Sequence, residues 1–163
     1  MAETLGVGEM LATKFEPLAK RRFVFAIEGI DSFLIKTAKR PQYTTEEIPI
    51  NWINSVRYIA GKTTFGTLNV TLHDAISPSG AQQVMEWIRL HYESVSGRAG
   101  YSDFYKRDLQ IKMLDPVGTV VQLWDVKGAF ITDSDFGDLS YDSTADLAEI
   151  TLTIRFDNAV MQF

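Results

Sequence analysis

No cysteine occurs among the 163 residues. Disulfides, thiolate-bound metals, iron–sulfur clusters and a cysteine nucleophile are therefore excluded. Histidine is scarce as well: His73 and His91 are the only two, so a multi-histidine metal site would need both. Long apolar runs are missing. Stretches such as Phe23 to Ile27 fall far short of the ~20 residues a membrane span requires, and no direct membrane insertion is expected. The opening Met1-Ala2-Glu3-Thr4-Leu5 lacks the basic flank and apolar block of a signal peptide. The expectation is a protein made in a cytoplasm and not exported by the general secretory route.

What remains is globular material, 45% hydrophobic and 23% charged. A chain of this length makes one domain that buries roughly 70% of its unfolded surface, so a core without staples is expected. Charge is unevenly spread. Residues 133–163 hold seven acids and one base, whereas residues 1–132 hold fourteen acids and fifteen bases. The whole net charge of −5 thus comes from the last fifth of the chain. With no strong basic stripe, a tight grip on nucleic acid is not expected; a basic protein partner suits the acidic segment better.

Residues 1–20 show no clean period and form an N-terminal arm; residues 21–163 form the domain. Phe23, Phe25 and Ile27 alternate with Val24, Ala26 and Glu28, as a strand requires. Gly29-Ile30-Asp31 predicts a tight turn into Phe33 to Ile35, and so a hairpin. A long extended stretch runs from about Tyr43 to Tyr58, with Ile48, Ile50 and Trp52 on one face. Pro49 within it implies an edge or a bulge. Gly61 to Gly66 reads as a loop, and Leu68, Val70 and Leu72 mark another strand. Ser77-Pro78 predicts a helix start, Ala81, Val84, Trp87, Ile88, His91 and Val95 keep helical spacing, and Gly97 stops it. Leu109 to Met113 and Thr119 to Val126 flank Asp115-Pro116-Val117-Gly118 as a second hairpin. Gly128 to Thr132 continues or bulges, Asp133 to Asp146 is an acidic connection, and Ile150, Leu152, Ile154 and Phe156 line the last strand. About seven strands and one helix, without βαβ alternation, predict a mainly β fold. The expected form is an antiparallel sandwich or partly open barrel with a helix packed against it.

Chemistry is thin. Asp133-x-Asp135-x-Gly137-Asp138 misses the calcium-loop pattern, having Asp138 where glycine belongs and Thr144 where glutamate belongs. His73 beside Asp74 has no nucleophile-elbow serine to serve. His91 reads as a hydrogen-bonded, partly buried side chain. Glu46 and Glu47 are adjacent on an extended segment and point to opposite faces. Lys20-Arg21-Arg22 and Lys39-Arg40 read as solvated rims. No catalytic residue, metal or cofactor is expected. Trp52, Tyr58, Phe65 and Trp124 lie in extended segments that one small sandwich leaves partly uncovered, which suggests pairing with another chain.

The order and spacing of several stretches resemble the tail tube proteins of contractile phages and related injection systems, the family of the T4-type tube subunit. The stretches are Phe23 to Gly29 followed by Phe33 to Ala38; Ile48-Pro49-Ile50 and Asn54; Ala60 to Phe65 leading into Leu68 to Leu72; a single helix with Trp87; and Lys127 to Thr132 before Asp138-Leu139 and Ile150 to Asp157. The resemblance covers Phe23 to Phe156. It implies a non-enzymatic structural subunit: hexameric rings, a homo-oligomer stacked into a tube, each subunit giving four strands to an inner barrel. Those strands would be the segments near 31–38, 43–58, 107–115 and 119–131, with Glu46, Glu47, Asp108, Lys112, Asp125 and Lys127 as lumen candidates. The loop from Ala60 to Gly66 and the end of 43–58 would reach the next ring through Trp52, Arg57, Tyr58, Gly61, Lys62 and Phe65. Sheath, baseplate and tail-terminator proteins would be its partners. DNA would pass without tight binding, and the particle would be a virion tail assembled in a bacterial cytoplasm. The acidic Asp133, Asp135, Asp138, Asp142 and Asp146 would face the sheath, or else line the lumen and repel DNA; the outward placement is favoured. The alternatives are a tube subunit of a type VI or extracellular injection system carrying effectors and, more remotely, a small ligand-binding barrel.

Overall fold

Alternation of buried and exposed residues builds the main sheet of this computed structural model, which describes residues 6, 8 and 16–163. Most of the expected N-terminal arm therefore lies outside the described residues. The strands are β1 (Phe23–Ile27), β2 (Ile35–Ala38), β3 (Tyr43–Trp52), β4 (Ser55–Phe65), β5 (Thr67–His73), β6 (Tyr92–Glu93), β7 (Arg98–Ala99), β8 (Arg107–Leu114), β9 (Val120–Asp135), β10 (Glu149–Arg155) and β11 (Asn158–Met161). Helices α1 (Gly80–His91) and the single-turn α2 (Ser102–Tyr105) accompany them among the described residues.

Seven strands form one antiparallel, unclosed sheet, as expected for a partly open barrel. Its path is β1-β8-β9-β10-β5-β2, and β11 pairs with β9. The long β9 belongs to both halves: β8 and β11 pair with its first part, β10 with its second. The core lies between these halves. Phe25, Ile27, Leu109, Ile111 and Val126 come from one, and Leu68, Val70, Leu72, Ile150, Leu152 and Ile154 from the other, all buried. Helix α1 adds Val84 and Trp87 to the same core. The Trp87 indole N–H donates to the Tyr105 carbonyl at 2.7 Å, and the Arg107 guanidinium lies 5.0 Å from its ring centroid. Burial lowers the pKa of Arg107, which stays charged over this aromatic face.

Several expectations need correction. Phe23–Ile27 and the strand after Asp31 do not form a hairpin; β1 pairs with β8 and β2 with β5, at opposite ends of the sheet. A 3-10 turn, Ser32–Leu34, separates them and buries Leu34. The stretch 43–58 is not one strand, and Gly61 to Gly66 is not a loop. The chain reverses between Trp52 and Ser55, and β4 continues through Phe65. The helix begins after Ser79, whose hydroxyl accepts from the Gln82 N–H, and ends at His91, so Val95 is off it and exposed. Gly97 closes the β6–β7 turn with φ of 69°. His91 is exposed and stacks edge-on to Tyr105, 4.9 Å away.

Gly128 sits where β9 passes from one half of the sheet to the other. Its φ is 66°, and a Cβ there would come within 2.2 Å of an Asp157 carboxylate oxygen. That carboxylate also holds Lys106 at 2.6 Å. A side chain at 128 meets both a left-handed backbone and an occupied site. Gly128→Ala is expected to lower unfolding free energy by about 1–3 kcal/mol, read as a lower denaturation midpoint in urea with an unchanged slope.

Candidate functional site

The hairpin β3–β4 forms its own two-stranded sheet. Every residue from Tyr43 to Ala60 is exposed. At about 3.3 Å per residue, a ten-residue strand makes an arm roughly 33 Å long. Cross-strand pairs define its faces: Ile48 opposite Ile59, Ile50 opposite Arg57 and Trp52 opposite Ser55 on one, Pro49 opposite Tyr58 and Asn51 opposite Val56 on the other. Both faces carry large apolar groups open to solvent, Trp52 at 72% and Tyr58 at 60%. An isolated two-stranded hairpin is marginal in water, and apolar area on this scale marks a contact surface. Pro49 sits on this free-standing strand, as its missing N–H predicts, and the register slips between Thr45 and Glu47.

The tip is strained. Ile53 has φ of 47° and is 86% exposed. A β-branched residue in that region costs about 1–3 kcal/mol, where glycine or asparagine would cost little. The Ser55 hydroxyl donates to the Trp52 carbonyl across this turn at 3.0 Å. Ile53, Val56 and Ile59 are contact candidates that the sequence reading missed. The expected Trp52, Arg57, Tyr58 and Lys62 do lie exposed on the arm. Gly61 and Phe65 are nearer its base and half-buried; Phe65 packs on Phe156 with centroids 5.6 Å apart. Trp124 is half-buried against the core rather than open.

Four of the six lumen candidates come together. Asp108 and Lys112 alternate with buried Leu109, Ile111 and Met113, so they share the outer face of β8 with Gln110. On β9, Lys127 holds Asp108 at 2.7 Å and Asp125 accepts from Gln110 at 3.0 Å. Asp125 also accepts from Gln162 at 2.9 Å. The Lys127 hydrogen bond holds the Asp108 carboxyl below the usual carboxylate range and raises Lys127 in turn. Two acids and two bases leave this face neutral, with no field to hold a polyanion. Glu46 and Glu47 lie apart, on the arm. The four strands expected around the lumen are not four neighbours within a subunit: β2, β8 and β9 share the seven-stranded sheet, where β2 pairs with β5 and β8 with β9, while β3 and β4 form a sheet of their own.

The acidic candidates gather at one end of the sheet. Asp133 and Asp135 finish β9 beside Thr153 and Thr151, and Asp138, Asp142 and Asp146 follow on the connection to β10. The same end holds His73, opposite Glu149. No group of His, Asp or Glu among the described residues is arranged to hold a metal ion. No helix among them is long and apolar enough to cross a membrane.

No protein-family model and no curated protein matches the chain. Solved structures do. The anti-feeding prophage cap, a tube-terminating cap, superposes with a TM-score of 0.75 at 16% identity, covering 97% of this chain and 99% of that one. The sheath/tube terminator of the extracellular contractile injection system PVC gives 0.74 at 17%, covering 93% and 100%. The PVC sheath–tube complex gives 0.67 at 17%, covering 97% and 99%. The likeness shows the fold: the chain has the architecture of contractile tail tube-related proteins.

Proposed function

We propose that the chain is a structural subunit of a contractile tail tube, its copies arranged in six-membered rings that stack into a hollow conduit inside a sheath. The observation that carries this is the β3–β4 arm, whose residues from Tyr43 to Ala60 are all exposed in their own subunit and which offers apolar groups on both faces. Only another chain can cover it. The unclosed sheet supports the same reading, since β1 and β2 have unpaired outer edges that neighbours in a ring can complete. Such side-by-side contact is heterologous and closes into a ring.

The neutral β8–β9 face suits a passage wall across which cargo slides. Comparison with an extracellular contractile injection system favours a tube that carries effectors over a phage tube that conducts DNA. Sheath, baseplate and terminator proteins are its partners in either case, and assembly takes place in a bacterial cytoplasm. A second reading, a terminal ring that caps the tube, is favoured by the higher TM-scores with the cap and terminator structures. Sedimentation velocity of the purified chain over rising concentration separates the two. A tube subunit grows from rings into open-ended polymers, whereas a cap stops at one ring. Monomers at every concentration would contradict both.

A further inference from the structure

The molecule carries opposite charges at opposite ends. Lys20, Arg21, Arg22, Lys39 and Arg40 cluster where β1 begins and β2 ends, and among the described residues none is in an ion pair. Between the two ends of the sheet lies a slot of about 250 Å³. Leu18, Phe23, Ala38, Ile111 and Met113 form its apolar lining, with Lys20 and Arg40 beside them. Arg40 contacts Gln122, near the start of β9, at 3.5 Å.

The far end of β9 leads into Asp138-Leu139-Ser140-Tyr141-Asp142. Leu139 is 90% exposed and Tyr141 wholly so, between two carboxylates with no ion-pair partner among the described residues. The segment is a formed turn: the Asp142 N–H donates to the Ser140 hydroxyl at 3.2 Å, and the Ser143 N–H to the Ser140 carbonyl at 3.4 Å. A turn set before contact loses little entropy on docking.

The geometry points to a head-to-tail contact in which the 138–142 turn of one copy enters the β1–β2 slot of the next. Leu139 and Tyr141 match the apolar lining, and Asp138 and Asp142 match Lys20 and Arg40. The fourteen residues from Gln122 to Asp135 run roughly 40 Å along β9, so a subunit cannot fill its own slot with its own turn. A second copy can, and the contact repeats without closing. The arm leaves the sheet at the slot end too, directly after Arg40. This inference rests on the tube reading and names the stacking contact within it.

Two charge reversals test it: D138K/D142K and K20E/R40E, each in the full chain at low ionic strength. All four residues are exposed, and each variant should melt as the parent does. Each alone should lose at least about tenfold of the sedimenting polymer, because like charges now face each other. Mixed in equal amounts, they should restore polymer, since each then offers the other an opposite charge. If either reversal upsets folding, D138N/D142N replaces it, with a smaller loss and little remaining salt dependence. Variants that polymerise as the parent does, or folded variants whose mixture fails to recover, would overturn the contact while leaving the rings standing. Linear, non-annular chains lost on reversal would uphold the contact and overturn the rings. A parent that is always monomeric would overturn both.

Discussion

Replacing residues 46–62 with Asn-Gly should give a chain that folds like its parent and no longer assembles. The graft keeps Tyr43 opposite Phe65 and the Thr45–Thr63 hydroxyl pair at 2.9 Å, and it ends in the dipeptide that suits a two-residue hairpin. Among the removed residues none is buried, and only Gly61 is half-buried. The core between β1, β8, β9, β10, β5 and α1 loses no contact. The melting temperature should shift by no more than about 4 °C, the equivalent of roughly 1–2 kcal/mol in a domain of this size. Assembly should vanish, because the arm leaves Ile48, Ile50, Trp52, Ile53, Val56, Tyr58 and Ile59 exposed together for another chain to cover. Sedimentation velocity beside a thermal melt reads both. A chain that still polymerises would place the main contact elsewhere.

The opposite pattern is expected at Trp87. Its side chain is 1% exposed, joins α1 to the core, donates to the Tyr105 carbonyl and carries Arg107 on its ring. Trp87→Ala removes the packing and leaves that carbonyl without its donor. A loss of about 3–5 kcal/mol follows, or roughly 10 °C in melting temperature. Trp87→Phe keeps part of the ring and should cost less, with the hydrogen bond still lost. Chemical denaturation followed by tryptophan-independent circular dichroism measures both. Together the two changes separate a residue that holds the subunit from a segment that joins subunits.

The sequence made the interior legible and the arm only partly so. Leu68, Val70 and Leu72, and Ile150, Leu152 and Ile154, alternate strictly because one side of each strand meets the core. The β8–β9 hairpin was readable because Asp115 sits before Pro116 and Gly118, and the structure shows why. Its carboxylate accepts the Val117 and Thr119 N–H groups at 2.9 and 2.7 Å. Those backbone donors hold the Asp115 carboxyl below its usual range. The β3–β4 reversal was hidden for a physical reason. A hairpin exposed on both faces has no core to impose a pattern, and its turn puts Ile53 where a glycine would have announced it. Asn54 was the one local signal. The β1–β2 error arose because a short turn between apolar runs implies pairing, whereas here each strand finds a distant partner. Asp108, Lys112, Asp125 and Lys127 were named through the resemblance; the β8–β9 register brings them to one face. The opposition of a basic slot to an acidic turn depends on which strand ends meet in space, and linear order does not show it.

Electron microscopy of the purified chain in negative stain reads ring formation itself. Annular particles with six-fold averages are expected and, at higher concentration, hollow tubes of stacked rings. Uniform small particles without a central opening, at concentrations where the parent is folded, would contradict the proposed rings.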